Sequence, residues 1–407
     1  MRILSFSTLF PNAARPGHGI FVETRLRELR RRHPVDVEVI APVPWFPSTH
    51  PRFGVYADHA RAPREELRDG VRVHHPRYPV IPKLGMEVAP WLLARWTLGT
   101  VRRLQVQHGA FDAIDAHYFY PDGVAAAYIA RALRKPLLIT ARGSDINLIA
   151  TYPGPRRRIL AAAETAGAVI TVSEALRQRI VELGVDPQRV HTLRNGVNLQ
   201  DFHPPWDREA LRAALGIRRR TLLSVGNLVA AKGHHLVIEA LRELPEHDLI
   251  IAGDGPERGA LEALAETLGS GERVRFTGRV PQQALVDLYG AADVLVLASA
   301  REGWPNVLLE SMACGTPVVA SAVGGIPELV TSPQAGRLLH KRTAEAIGSA
   351  CRALHDAAPS REATRDHARR FGWEPTVDRL WYVLESLVAL GGHPRGEVLL
   401  PRADRSA

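Results

Sequence analysis

Two carboxylates eight residues apart, Glu302 and Glu310, bracket Gly303-Trp304-Pro305-Asn306-Val307-Leu308-Leu309, a stretch with the marks of a strand running into a helix. Pro305 suits a helix start, where its missing N–H would have had no partner. Unpaired amides and the helix dipole make such a start a ready anion site. An ionised carboxylate accepts hydrogen bonds from two neighbouring hydroxyls, so Glu310 suits a ribose and Glu302 a second sugar ring. In isolation, either acid reads more readily as a solvated helix-end charge.

A second segment, Gly226-Asn227-Leu228-Val229-Ala230-Ala231-Lys232-Gly233, ends a strand, turns, and sets a cation before a helix. Lys232 is one of four lysines in a chain with 48 arginines. A diphosphate here would meet both an ammonium and helix-start amides, although the spacing is not that of a Walker loop. Gly253-Asp254-Gly255-Pro256-Glu257 reads by itself as a turn. Gly315-Thr316-Pro317 stops the helix that carries Glu310, and Gly324-Gly325-Ile326-Pro327-Glu328 adds another flexible turn. No Asp-x-Asp falls in a nucleotide loop, and no Gly-x-Gly-x-x-Gly follows the first strand, which disfavours a dehydrogenase.

Such residues need strand ends to hold them, because ligands of open parallel sheets gather beyond the carboxyl ends of the strands. Short β-branched runs alternate with helical patterns along most of the chain, which predicts parallel sheets covered by helices. In the first half, strands are expected at residues 2–6, 35–41, 71–74, 113–116, 137–140, 169–172 and 190–193, with helices near 21–31, 88–105, 124–133, 156–166 and 174–183. The run 198–206, with Pro204 and Pro205, is the natural linker. Beyond it, strands 221–225, 249–252, 274–276, 294–298 and 318–321 alternate with helices near 235–243, 257–268, 282–289 and 307–313. A length of 407 residues exceeds one ordinary core. The expected division is therefore one Rossmann-like domain over 1–200 and a second over 201–374. A terminal helix over 375–390 has an apolar stripe predicted to pack back on the first domain, and a disordered tail follows over 391–407.

These motifs, in this order, resemble the family-four retaining glycosyltransferases: the Glu-x7-Glu segment, the Gly-x-Pro-Val-Val-Ala stretch after it, the Gly-Gly-x-Pro-Glu turn and the upstream Lys-Gly loop. The resemblance covers nearly the whole chain and is similar to that of enzymes of teichuronic acid and other cell-surface polysaccharide pathways. It implies an α/β GT-B fold, two Rossmann-like domains facing each other across a cleft, with 1–200 the acceptor-side domain and 201–374 the nucleotide-sugar-binding one. It also implies transfer of a hexose from a nucleotide-diphosphate sugar to a glycan or lipid-linked acceptor, with retention and without a metal or other cofactor. By the same resemblance Lys232 contacts the donor diphosphate, Glu310 the ribose and Glu302 the transferred sugar, with Asn306, Val307 and Leu308 offering groups at the helix start. Many relatives carry Arg where this chain has Asn227, which has no charge to lend; Arg142 is the candidate to compensate.

The first half matches too. Pro16-Gly17-His18-Gly19-Ile20 joins the first strand to a helix, where glycines let a backbone approach phosphate. The resemblance marks Gly19 as the donor contact, with Gly17 beside it on the acceptor side. It assigns His117, at a strand end, to the sugar as a catalytic residue, and Arg142 and Asp145 of Thr140-Ala141-Arg142-Gly143-Ser144-Asp145 to donor or acceptor. Three alternatives keep the fold: a sugar phosphorylase, which would need free phosphate; a nucleotide-sugar epimerase, which needs no acceptor; and a catalytically silent carbohydrate-binding protein.

Composition narrows the partners. Residues 1–200 hold 28 Lys and Arg against 17 Asp and Glu, a balance of +11, whereas residues 201–407 hold 24 against 26. A basic half suits a phosphorylated substrate or an anionic membrane surface. Nucleic acid is disfavoured, since the clusters Arg30-Arg31-Arg32 and Arg156-Arg157-Arg158 fall on predicted helices without interleaved aromatics. Trp91, Leu92, Leu93 and Trp96, flanked by Arg95, Arg102 and Arg103, read either as a core helix or as a membrane-surface contact. The apolar start of the chain is broken by serines and Pro11 and reads as a strand, not a cleavable signal. Two cysteines, Cys314 and Cys351, make no disulfide framework or zinc site and are expected to be buried small hydrophobes. The expected setting is cytoplasmic, peripheral on the cytoplasmic face of the membrane; the oligomeric state is left open.

Overall fold

The computed structural model describes residues 1–81 and 85–391, so the tail beyond Gly391 lies outside the described residues. The chain forms two compact units, one of Met1–Arg194 together with Glu374–Ala407, the other of Asn195–Trp373.

In the first unit the strands are β1 (Arg2–Phe6), β2 (Asp36–Ile40), β3 (Val43–Pro44), β4 (Glu65–Arg68), β5 (Val71–His74), β6 (Arg77–Tyr78), β7 (Ala113–His117), β8 (Leu137–Ala141), β9 (Ala168–Thr171) and β10 (Val190–Thr192). Eight of them make one sheet in the order β10-β9-β8-β7-β1-β2-β5-β4, parallel except for the β4–β5 pair. The strands β7, β8 and β9 are buried along their whole length, as sheets covered by helices on both faces require. Sequence patterning missed β4, whose alternating half-exposed residues carry too little apolar signal, and the two-residue pair β3–β6.

The second unit has β11 (Arg220–Val225), β12 (His247–Ala252), β13 (Val274–Gly278), β14 (Val294–Leu297), β15 (Val318–Ser321) and β16 (Gly336–Leu339). All are parallel, in the order β13-β12-β11-β14-β15-β16. That is the doubly wound arrangement of a Rossmann sheet, whose order reverses beside its first strand. Leu222, Val237, Ile238, Leu249, Val294 and Val296 anchor a core that also takes in Cys351, and both cysteines are free and buried. The strand β16 and the helices Ala344–Ala357 and Arg361–Arg369 complete the unit and were not read from the sequence.

The helix Glu374–Ala389 returns to the first unit. Its Leu387 Cδ1 occupies the space a side chain at Gly167 would need. Trp381 stacks on His33 with ring centroids 5.0 Å apart, and Asp378 accepts from Arg32 Nε at 2.5 Å.

The tryptophan-bearing helix runs from Gly85 to His108. It splits the two readings of that segment: Leu92, Leu93, Val101 and Leu104 are core, whereas Trp91 and Trp96 are more than half exposed. Among the described residues no helix is long and apolar enough to cross a membrane.

Candidate active site

Both sheets reverse their order beside the strand that opens them, β1 next to β7 and β11 next to β14. Carboxyl ends of strands at such a switch point form the ligand crevice of an open α/β sheet, and most of the residues singled out above lie there.

In the second unit the loops after β11 and β14 are locked together. Ala300 N donates to Ala231 O at 2.7 Å. Gly233 has φ 74°, and a Cβ there would fall 2.1 Å from Ala298 O, so only glycine lets the loops close this far. Arg342, placed after β16, donates from Nε to Ala298 O at 2.6 Å and from Nη2 to Ala230 O at 3.2 Å. These contacts bring Lys232 to Glu302: Nζ donates to Oε1 at 2.5 Å, and Ser299 Oγ donates to the same oxygen at 2.7 Å.

Helix Asn306–Ala313 begins with Pro305 at its N-cap and no capping side chain. The amides of Asn306 and Val307 belong to its first turn, which has no intrahelical acceptor, whereas Leu308 N donates to Pro305 O at 3.1 Å. The Leu308 side chain is fully buried, so it supports the helix. Asn306 Oδ1 accepts from Asn195 Nδ2 at 3.2 Å. Glu310 accepts from the buried Tyr289 hydroxyl at 2.8 Å. Burial pushes the Glu310 carboxyl up to about 7, opposed by that hydrogen bond. The Asn227 side chain is exposed; its carbonyl lies 3.3 Å from Nε2 of the buried His234. His234 in turn meets Ser224 Oγ through Nδ1 at 2.9 Å, and burial lowers its imidazole to about 4.

In the first unit, Gly19 caps helix Ile20–Arg32 at φ 72°, and a Cβ there would lie 2.3 Å from Leu9 O. Gly17 is exposed with open space about its Cα. The β1 loop is tied down by the buried Asp122, which accepts from Thr8 N at 2.6 Å, Thr8 Oγ1 at 2.9 Å and Ser7 Oγ at 3.2 Å. Burial raises the Asp122 carboxyl to about 7 against those bonds.

Asp145 does not present its carboxylate to a ligand. Oδ1 accepts from the backbone N–H of Gly143, Arg142 and Ile146 at 2.7, 3.1 and 3.1 Å, and Oδ2 from Phe119 N at 2.7 Å. It organises the loop on which Arg142 stands, and burial raises its carboxyl against the pull of these amides. His117 is likewise fully buried; its Nδ1 lies 2.8 Å from Arg142 Nη2 and its Nε2 3.3 Å from Asp115 Oδ2. Arg142 is half-buried, with Cζ 4.9 Å from the centre of the Phe21 ring. Arg25, Asp115, Ser299, Tyr289 and Arg342 were missed from sequence. A lone Asp inside the apolar run of β7, and an Arg in register with Val22, Leu26 and Leu29, were the signals available for the first two; Arg342 left none.

Residues 16–201 match the family described as Glycosyltransferase Family 4, and residues 207–371 the one described as Glycosyl transferases group 1. The chain is 31% identical to D-inositol 3-phosphate glycosyltransferase 1 of Catenulispora acidiphila, over 97% of each chain. The chain belongs to glycosyltransferase family 4. This family 4 glycosyltransferase is also 31% identical to the putative teichuronic acid biosynthesis glycosyltransferase TuaC of Bacillus subtilis, over 86% of its own length and 88% of that protein's. Among solved structures it is similar to sucrose-phosphate synthase from Thermosynechococcus elongatus, with TM-score 0.77 and 22% identity over 96% of this chain and 99% of that one. A second is Anabaena HepE in complex with UDP-glucose, with TM-score 0.71 and 20% identity over 95% and 99%. The two Rossmann-like units are those of the GT-B fold.

Proposed function

We propose that this family 4 glycosyltransferase takes a hexose from a nucleotide-diphosphate sugar and hands it, with retention and without a metal, to a glycan or lipid-linked acceptor of a cell-surface polysaccharide. The observation that carries this reading is the meeting of Lys232 and Glu302 on two interlocked strand-end loops, with Glu310 on the helix that starts beside them. Breaking the anomeric C–O bond puts positive charge on the sugar and negative charge on the leaving diphosphate. Lys232 and the amides of Asn306 and Val307 answer the second, Glu302 orients the sugar, and Glu310 takes the ribose hydroxyls. A preorganised donor at a developing oxyanion is worth about 3 to 4 kcal/mol. The acceptor hydroxyl attacks the anomeric carbon on the face the diphosphate leaves, and its proton passes to a departing phosphate oxygen. In the first unit, Gly19 and Arg142 are the proposed phosphate contacts, with Gly17 beside them.

The likeness of the fold to HepE, whose structure holds UDP-glucose, supports a nucleotide-sugar donor, and the likeness to TuaC supports a cell-surface acceptor. The test is release of nucleoside diphosphate from a panel of nucleotide sugars, with glycan, lipid-linked and inositol phosphate acceptors, in the presence of EDTA. The anomer of the product is read by NMR. Donor binding without release under every acceptor overturns the reading in favour of a silent carbohydrate-binding protein.

Peripheral attachment to an anionic membrane belongs to the same proposal and rests on the exposed Trp91 and Trp96 beside the exposed Arg95, Arg102 and Arg103. Tryptophan at headgroup level with cations against anionic lipid is the chemistry of an interfacial helix. Salt-sensitive flotation with phosphatidylserine vesicles, reduced in the Trp91→Ala, Trp96→Ala double variant, is the expected result; no flotation at low salt removes the membrane from the proposal.

A further inference from the structure

In the first unit four side chains from three segments, Arg25, Asp115, His117 and Arg142, form one line beneath the strand ends. Arg25, on helix Ile20–Arg32, is almost completely buried, in register with Val22, Leu26 and Leu29. Its Nη2 donates to both oxygens of Asp115, at 3.1 and 3.0 Å, and its Nη1 to Thr140 Oγ1 at 3.1 Å. Asp115 is fully buried in the middle of β7. Its Oδ2 faces His117 Nε2 at 3.3 Å, and His117 Nδ1 faces Arg142 Nη2 at 2.8 Å.

The chemistry of the outer cation fixes the middle of this line. A guanidinium has donors and no acceptor, so Nδ1 of His117 must offer its lone pair to Arg142. The imidazole proton then sits on Nε2, which lies 3.3 Å from Asp115 Oδ2 without the alignment of a hydrogen bond. The ring stays neutral: burial, together with the charges of Arg25 and Arg142, holds His117 down to about 3 despite Asp115. Nδ1 is therefore taken by Arg142, Nε2 is enclosed beside Asp115, and the side chain has no exposed edge. Arg25 keeps Asp115 ionised and in place: an isolated buried carboxylate would be costly, whereas a two-point guanidinium pair offsets its desolvation.

We propose that His117 makes no contact with the sugar and is instead, with Asp115 and Arg25 behind it, a positioning residue for Arg142, which binds a phosphoryl group of the substrate at the end of β8. The assignment rests on the glycosyltransferase reading above for the identity of the substrate, but the relay itself does not. Arg142 stands on a loop pinned by Asp145 and is braced on one side by the Phe21 ring. His117 supplies a further restraint, a ring-nitrogen acceptor held inside the protein. An arginine held in this way loses less side-chain entropy on meeting phosphate than a mobile one.

Two experiments test the proposal. The first needs no activity: the full chain is labelled with 15N-histidine, the His117 resonances are identified by their loss in His117→Gln, and the tautomer is read from one-bond and long-range couplings between pH 5.5 and 8. A proton fixed on Nε2 with no titration is expected; a proton on Nδ1, or titration within that range, overturns the relay whatever the enzyme transfers. The second is a double-mutant cycle on sugar transfer. Arg142→Ala and His117→Leu should lower kcat/KM by the same factor to within about threefold, and the double variant should be no worse than Arg142→Ala alone. His117→Gln, whose amide can accept from Arg142 and donate to Asp115, should recover at least about tenfold of what His117→Leu loses. Independent, multiplying losses, or no recovery with Gln, would return His117 to direct contact with substrate. Absence of transfer by the wild-type chain, with the Nε2 tautomer intact, would count against the glycosyltransferase reading and not against the relay.

Discussion

Lys232 Nζ stands 2.5 Å from Glu302 Oε1, so the cation proposed for the leaving group and the acid proposed for the transferred sugar are bound to one another. Ser299 completes the arrangement by donating to the same carboxylate oxygen. A donor entering the site must share the ammonium with Glu302 or draw it away, so the ion pair opposes binding at one end while it orients both residues.

Removing the acid partner should therefore separate binding from chemistry. Glu302→Gln is expected to bind nucleoside diphosphate as well as the native chain, or up to about tenfold more tightly, while transfer falls at least about 100-fold. Lys232→Ala should lose transfer by about 100- to 1,000-fold, the scale of removing one oxyanion donor, and should also weaken binding. Calorimetric titration with UDP and ADP, alongside release assays, checks both; weaker binding by Glu302→Gln would show that the ion pair does not compete with ligand.

In the proposed role, Glu310 should tie donor affinity to pH. Its carboxyl titrates near 7 because it is buried, and only the ionised form can accept from both ribose hydroxyls. Affinity for nucleoside diphosphate should be full above that value and weaken by up to about tenfold per pH unit below it. Glu310→Gln should bind weakly and show no such slope. A flat profile for the native chain from pH 5.5 to 8 contradicts the role assigned to Glu310.

Asp122 makes a comparable statement about folding. Its folded value is raised from 3.8 to about 7, so between those limits the folded chain holds a proton that the unfolded chain has released. The associated stability is present in full at the acid end and is lost as pH rises through 7. Asp122→Asn, which keeps an acceptor for Thr8, should gain on the native chain in urea midpoint as pH is raised from about 5 to about 8. A constant difference across that range would show that Asp122 does not titrate there.

Two neighbouring glycines should behave oppositely. Gly19→Ala forces a left-handed residue and a methyl group against the Leu9 carbonyl and should cost about 2 kcal/mol or more. For a domain of this size that is a fall of roughly 4 °C or more in the first unit's melting temperature. Gly17→Ala, with open space around it, should stay within about 0.5 kcal/mol of the native chain. Comparable losses in both would mean that the loop is held by something other than the approach of Gly19 to Leu9.

Much of this architecture could be read from residue order because parallel strands buried on both faces leave dense apolar runs: β1, β5 and β15 were placed to the residue, and the helix carrying Glu310 to within one. What escaped was held by contacts distant in sequence. Strand β4 is half-exposed and pairs antiparallel at an edge. Arg342 acts on carbonyls 44 and 112 positions away, and nothing near it in the chain signals that. Asp145 was assigned to a ligand by the family resemblance of its loop; the turn it closes, with its carboxylate facing the loop's own amides, is visible only in three dimensions. Lys232 and Glu302 could be singled out because each lies between a strand and a helix, and Glu310 because it stands on the helix that follows; Tyr289 and Ser299 could not, because they act on those acids and not on the turn itself.

The chain leaves the first unit at Arg194 and comes back to it at Glu374, and the two crossing points touch: Thr376 Oγ1 donates to Arg194 O at 2.7 Å. The intervening 195–373 segment is thus spliced into its host as a cassette whose ends nearly coincide. Cassettes of that kind tolerate excision and transplantation. Joining 194 to 374 through a few residues should give a self-sufficient half, whereas a protein cut short before 374 would strip a wall from the half that begins the chain. If the proposed function holds, grafting related cassettes between the same two points is the simplest way to exchange one donor preference for another while leaving the partner half untouched.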